Sequence, residues 1–232
     1  MSDNLLLATL AASDAARLRP NLEDVSLEQE QILFHVDAPM THVYFPHDAV
    51  VSLQVLGLDG AVVEAATIGS EGLVGLGGLM AGDVSFTRQI VQLPGRAGRI
   101  ARGAFLSAIN KSAALRALLY SHADVFTAQV LQTSACNAQH STEERMARWL
   151  LMAFDRCGSD TINLTHDDLA IAFGVRRPTV TLIVRSLQAA QILEATRRTV
   201  TVIDRAGLEQ ISCECYQAIR KNYERMFAQH RR

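Results

Sequence analysis

Cysteine is scarce and late. Four occur in 232 residues, none before Cys136. That density excludes a disulfide scaffold, and a reducing cytoplasm is expected. No stretch approaches the ~18 consecutive apolar residues of a membrane span. The opening Met1-Ser2-Asp3-Asn4 lacks the positive charge that begins a secretory signal. There is no Gly-Lys-Ser/Thr phosphate loop, no serine at a nucleophile elbow, and no His-x-His cluster with a companion Glu. An enzyme is therefore not expected. The remainder is the composition of a folded protein, 49% hydrophobic and 20% charged. Disorder is excluded, and the length admits one large domain or two smaller ones.

Charge is uneven along the chain. Residues 1–140 carry 8 basic and 13 acidic side chains, whereas residues 141–232 carry 14 and 11. Within 170–203 stand Arg176, Arg177, Arg185, Arg197 and Arg198 against the single acid Glu194. A basic half beside an acidic half suits a polyanionic partner; a solvated surface is the plainer use of the same charges.

The pattern changes three times. Residues 2–19 have helical spacing, with Leu5, Leu6, Leu10, Ala15 and Leu18 near one face, ended by Pro20. From Val25 to about Ile100 come short β-forming runs: 42–45, 49–56, 61–68, 84–93 and 98–101. The loop Gly57-Leu58-Asp59-Gly60 reads as a hairpin. Six glycines between 69 and 82 interrupt the β-runs. Such strands point to a compact sandwich or barrel.

Helical spacing then returns. Residues 113–137 lack Pro and Gly and carry Leu115, Leu118, Leu119, His122, Val125, Phe126 and Gln129 at intervals of three and four. A dimer seam is one use for that stripe; packing onto the β-rich part is the other. Ser141-Thr142-Glu143-Glu144 fits a capping box and opens a helix to about Asp155.

Residues 164–203 carry the chemistry. Thr165-His166-Asp167-Asp168 is a second capping box, for a helix through Phe173. Gly174 stops it, and a further helix begins at Arg177-Pro178. Small Ala170, the Gly174 turn, and inward Leu169, Val175, Val180 and Ile183 are the spacing of a helix-turn-helix. The outer face then presents Arg176, Arg177, Pro178, Thr179, Thr181, Leu182 and Arg185. Arginine pairs bidentately with guanine, and threonine bonds base edges or touches thymine methyls. Two β-segments around Arg197-Arg198 form a wing whose cations suit phosphate.

The order of β-rich domain, long helix, capped helix, helix-turn-helix and wing resembles the CRP/FNR superfamily of bacterial transcription regulators. The resemblance implies an α+β fold: an N-terminal antiparallel β-roll of jelly-roll type over residues 1–112, a dimerisation helix over 113–138, and a winged helix-turn-helix with a C-terminal helix over 139–232. It implies a cytoplasmic homodimer on palindromic double-stranded DNA, with RNA polymerase as a further partner and no membrane. Arg177, Thr179 and Val180 match the family's Arg-Glu-Thr-Val run, and Thr165 matches its phosphate-contacting helix start. Pro178 replaces the Glu, and Leu182 stands where many members carry a reading Arg. In the sensor, Glu71, Gly72 and Arg88 are the candidates for an effector pocket, but the family's Gly-Glu and Arg-Ser/Thr order is altered. Cyclic nucleotide is disfavoured without being excluded, and no cofactor is evident. The family's iron–sulfur branch needs cysteines near the N-terminus and has no counterpart here. Cys213-Glu214-Cys215 lacks a Cys-x-x-Cys bite, so no metal site is expected there. Asp204 to Phe227 is expected to be one last helix.

Overall fold

A computed structural model describes residues 4–58, 60, 62–80 and 82–230. The expected helix start at Ser2, the hairpin residue Asp59 and the strand start Ala61 fall outside that set. The chain opens with α1 (Leu5–Ala8), α2 (Ala12–Leu18) and a 3-10 turn (Arg19–Asn21). The single N-terminal helix expected from periodicity is thus two short ones. Fully buried Asn4 caps α1 by accepting from the Leu7 N–H, and its amide donates to the carbonyls of Pro46 and Gly72.

Seven strands follow: β1 (Glu23–Leu27), β2 (Ile32–Phe34), β3 (His42–Pro46), β4 (Val50–Leu56), β5 (Val62–Ile68), β6 (Arg88–Leu93) and β7 (Gly95–Ala101), with α3 (Gly77–Met80) between β5 and β6. They form two antiparallel sheets, ordered β1-β7-β3 and β2-β6-β4-β5. Leu27 and Ala97 from one sheet, and Val51, Ile68 and Val91 from the other, share one buried cluster. Strand alternation therefore delivers an apolar layer from each sheet to a common interior. The strands β1 and β2 escape simple pattern reading because acids and turn residues surround them.

The helices α4 (Arg102–Lys111) and α5 (Ala113–Gln139) come next, then α6 (Thr142–Cys157). Ser112 caps α5, and its hydroxyl also donates to the buried Asp14 carboxylate. Ser141 and Glu144 form the expected capping box at the start of α6. The C-terminal part comprises β8 (Thr161–Asn163), α7 (His166–Phe173), α8 (Arg177–Ala189), β9 (Leu193–Ala195), β10 (Thr199–Val202), α9 (Arg205–Ile211) and α10 (Cys215–His230). Its small sheet is ordered β8-β10-β9. Where one final helix was expected, extended backbone at Ser212 separates α9 from α10. The fold is mixed helix and antiparallel sheet: a β-rich N-terminal domain, a long helix and a helix-turn-helix.

One apolar core runs from Val43 and Phe45 through α5 and α6 into α7, α8 and α10. The stripe on α5 serves that core. Leu115, Leu118, Leu119, His122 and Gln129 are buried inside their own chain, and Val125 and Phe126 are half-buried. For the five buried side chains the assignment to a dimer seam is corrected, because β5, α4 and α10 of the same chain cover them; Val125 and Phe126 keep part of their surface.

Polar groups cross the same interior. Arg156 on α6 pairs with Glu71 at 2.7 Å, both side chains nearly enclosed. The Arg156 guanidinium also donates to the Thr67 hydroxyl and to Gln129 Oε1. Gln129 Oε1 further accepts from Tyr223, while its amide donates to the Thr67 carbonyl. Nearby, Glu64 of β5 accepts from Ser52 and from the Trp149 indole at 2.7 and 2.8 Å. Burial holds the Glu64 carboxyl above the usual carboxylate range. The β-domain, α5, α6 and α10 are joined by these bonds. Removing one partner strands a buried charge, which costs about 3–5 kcal/mol. Glu71→Ala is expected to lower unfolding stability by that order in urea, with Glu71→Leu/Arg156→Met recovering part of it; an unchanged midpoint for Glu71→Ala would dismiss the ion pair as a structural tie.

Candidate nucleic-acid interface

The helix-turn-helix begins with Thr165, whose hydroxyl accepts from the Asp168 N–H while the Asp168 carboxylate accepts from the Thr165 N–H. Two acids in the first turn of α7 also favour its positive end. The helix stops at Gly174, which sits at φ +63° with open space around its Cα. The Val175 N–H reaches back to the Ala170 carbonyl and the Gly174 N–H to Ile171, the reciprocal pattern of a left-handed C-terminal cap. The chain leaves that turn into α8 with Arg177 and Pro178 in its first turn.

Val180, Val184 and Leu187 are the fully buried side of α8, with Ile183 half-buried beside them. Sequence spacing placed Val180 and Ile183 inside but overlooked Val184. The other side is open. Arg176, Arg177, Pro178, Thr179, Leu182 and Arg185 are exposed, and Thr181 and Thr165 are half-buried. Leu182 is 68% exposed, an apolar side chain with no partner of its own kind to cover it. The N-cap Arg176 makes no side-chain bond to the helix start; Pro178 has no N–H to satisfy, and the Thr179 N–H bonds the Arg176 carbonyl.

The wing is built on β9 and β10. Thr196 and Thr199 share a hydroxyl hydrogen bond of 2.7 Å, and the Thr196 hydroxyl also accepts from the N–H groups of Arg198 and Thr199. That tight turn leaves Arg197 and Arg198 exposed. The third strand, β8, was not expected; Thr161 bonds Thr201 across it.

Two side chains of this face were missed in the sequence. Asp167 pairs with Arg177 at 3.2 Å, each about 60% exposed. Such a pair contributes little in water. His166 Nδ1 lies 3.0 Å from the Thr181 hydroxyl. Partial burial, then the Arg177 cation, hold His166 below the usual histidine range. Both residues follow the cap Thr165 directly, and that adjacency to α8 was the available signal.

The candidate effector residues do not converge. Glu71 is held by Arg156 and accepts from the Gly69 N–H. Arg88 instead donates twice to Gln54 Oε1, at 3.0 and 2.6 Å. Gly72 abuts the His122 ring, where an added Cβ would lie 2.8 Å from Cε1. The expected grouping of Glu71, Gly72 and Arg88 is therefore corrected: Arg156 of α6 lies against Gly69, His122 of α5 lies against Gly72, and Arg88 bonds elsewhere. A separate cleft of about 470 Å³ lies beside the glycine loop, lined by Ser70, Glu71, Arg156, Arg205, Tyr216 and Tyr223 among others.

Residues 144–211 match the model of the Crp-like helix-turn-helix domain. FixK2 from Bradyrhizobium japonicum superposes with a TM-score of 0.66 at 18% identity, over 83% of this chain and 98% of that one. The c-di-GMP-responsive global regulator CLP of Xanthomonas campestris gives 0.62 at 18%, over 83% and 99%. TTHB099, a CRP-family transcriptional regulator from Thermus thermophilus, gives 0.65 at 16%, over 81% and 96%. No curated protein sequence matches. The chain has the fold of CRP/FNR-type transcriptional regulators, as the sequence resemblance implied.

His122 supplies a pH test of the packing behind the glycine loop. Neither ring nitrogen has a hydrogen-bond partner among the described residues. Burial lowers its pKa from 6.5 to about 4, and the Glu71 carboxylate opposes that only weakly. The folded state thus prefers the neutral ring. Its contribution is complete above pH 6.5 and fades as pH falls toward 4, by up to about 3 kcal/mol. Urea titrations across that window are expected to show a smaller loss for His122→Gln than for the parent chain; parallel curves would refute the assignment.

Proposed function

We propose that this protein is a sequence-specific DNA-binding transcription regulator, acting as a homodimer on a palindromic operator and controlled by a signal at its β-domain. The observation that carries the reading is the open row Arg176, Arg177, Thr179, Leu182 and Arg185 along α8, beside Arg197 and Arg198 on the wing. A helix seated in the major groove reads bases with such a row. Arg177 takes a guanine, exchanging the weak Asp167 pair for a bidentate one. Leu182 suits a thymine methyl, and Thr165, Pro178 and Thr181 line the approach. Arg197 and Arg198 lie against phosphate and add affinity without reading sequence. The chain performs no catalysis in this role.

The dimer seam is reassigned to the outer face of α5. Ala113, Ala117, Tyr120, Asp124, Thr127 and Leu131 are exposed at alternating intervals of four and three, the repeat of a left-handed helix pair. Tyr120 is 61% and Leu131 66% exposed, and Asp124 is the row's one charge. Nearly 40 Å of helix is available for the seam. The signal acts at the cleft beside Glu71 and Arg156, where it touches β-domain and α6 together. RNA polymerase is the further partner in this proposal, and the compartment is the cytoplasm; among the described residues no helix is long and apolar enough to cross a membrane.

Genomic fragments recovered with the protein give the operator for three tests. Arg177→Ala is expected to weaken operator binding by ~1–3 kcal/mol and to relax one base position. Arg197→Ala should weaken binding to operator and random duplex alike and reduce the salt slope by about one. Operator titrations indifferent to Arg177→Ala would remove α8 as the reading helix. Tyr120→Asp/Leu131→Asp is expected to convert a dimer to a monomer in sedimentation without loss of fold; an unaltered dimer would place the seam elsewhere.

A further inference from the structure

Four metal-binding side chains meet where α5 ends. Cys136, His140, Cys213 and Cys215 each offer one ligand atom, and all four atoms lie within 4.8 Å of one another. The Cys136 and Cys213 sulfurs are 3.5 Å apart, and Cys215 Sγ is 3.7 Å from His140 Nδ1. The three cysteines are buried and form a cluster apart from the apolar cores. The expectation of no metal site rested on spacing along the chain. Cys213 and Cys215 alone have a poor bite, but the break between α9 and α10 faces them toward Cys136 and His140, one helical turn apart on α5. That second pair, at i and i+4, is what the sequence reading did not connect to the first.

The surroundings also point to a ligand. His140 Nε2 is 3.3 Å from the Glu214 carboxylate. A proton held there leaves the Nδ1 lone pair turned to the sulfurs, the arrangement of a carboxylate–histidine–metal relay. Gln132 donates to Cys215 Sγ at 3.0 Å. Arg148 is buried, its Nε lacks a hydrogen-bond partner, and no carboxylate lies within 4.0 Å of its guanidinium among the described residues. Its charge acts on Cys136, and the half-buried Arg145 is coupled to Cys136 and Cys213. Three thiolates around a divalent ion carry one net negative charge, which these cations offset.

We propose that Cys136, His140, Cys213 and Cys215 bind a single thiophilic divalent ion of the zinc class. Three sulfurs and one imidazole are a closed tetrahedral donor set, with metal–sulfur bonds of about 2.3 Å and a metal–nitrogen bond of about 2.0 Å. Around one metal such bonds put donors somewhat under 4 Å from each other, so the observed atoms need to shift little. An iron–sulfur cluster spreads its thiolates over several irons and needs a wider cage. On binding, each cysteine releases its proton to solvent and gives a metal–thiolate bond, with no redox change. The ion ties the end of α5 to the α9–α10 junction, beside the hinge at His140-Ser141 where the chain enters α6.

Cobalt(II) titration of the full chain, prepared under reductant without metal, tests this. One equivalent should give thiolate-to-cobalt charge-transfer bands and the visible bands of a tetrahedral site, and zinc should abolish both. Cys136→Ser or Cys213→Ser should remove the tetrahedral spectrum, and Cys157→Ser should keep it. Glu214→Gln, which spares all four ligands and the fold, should weaken affinity roughly 10–100-fold. Absence of a tetrahedral spectrum in the parent chain would overturn the proposal, as would its survival in Cys213→Ser or its loss in Cys157→Ser. DNA binding plays no part in the readout.

Discussion

The ion pair between Arg156 and Glu71 is the constraint on which the middle of this molecule depends. A guanidinium and a carboxylate taken out of water are costly unless each finds the other and further bonds complete the set. Here Thr67 and Gln129 accept from the guanidinium, Tyr223 donates to Gln129 in turn, and Glu71 Oε1 accepts from the Gly69 N–H, while Glu71 Oε2 has no hydrogen-bond partner among the described residues. Satisfying the pair therefore fixes α6 against the β-domain, and α10 against α5. The helix-turn-helix inherits its position from that arrangement, because α6 shares one core with α7 and α8.

In a sensor that holds an anionic ligand, a glycine loop of this kind needs free donors. Here several donors are engaged by the same chain: the Gly69 N–H by Glu71, the Gly72 N–H by the Gly69 carbonyl and the Val74 N–H by the Tyr44 carbonyl. The neighbouring cleft differs, because the β-domain and the C-terminal helices contribute its walls together. A ligand there would touch both halves of the molecule, which is what control of one by the other requires.

Much of this was legible beforehand, for local reasons. The helix-turn-helix rests on short-range signals: the Thr165 and Asp168 cap, the Gly174 turn, Pro178 in a first turn. Each acts within a few residues, and each is where the chain alone puts it. The hairpin strands and the long α5 were readable by periodicity. What periodicity does not reveal is which element covers a stripe. Leu115, Leu118 and His122 have the spacing of a seam and of a core helix alike, and only the placement of α10 distinguishes them. Pairings across 77 residues, such as Cys136 with Cys213, are equally silent in one dimension. The strands β1 and β2 were missed because acids and turn residues surround them and the partners that make them strands, β7 and β6, lie between 55 and 76 residues later.

The bare Cα of Gly69 leads further. A single methyl group added there would strike the aliphatic stem of Arg156, at 2.5–2.6 Å. At that point the glycine loop and α6 meet with no room for a water between them. Separation by one water diameter would hydrate guanidinium and carboxylate at once, so the packing contact at Gly69 and the ion pair behind it would be lost together.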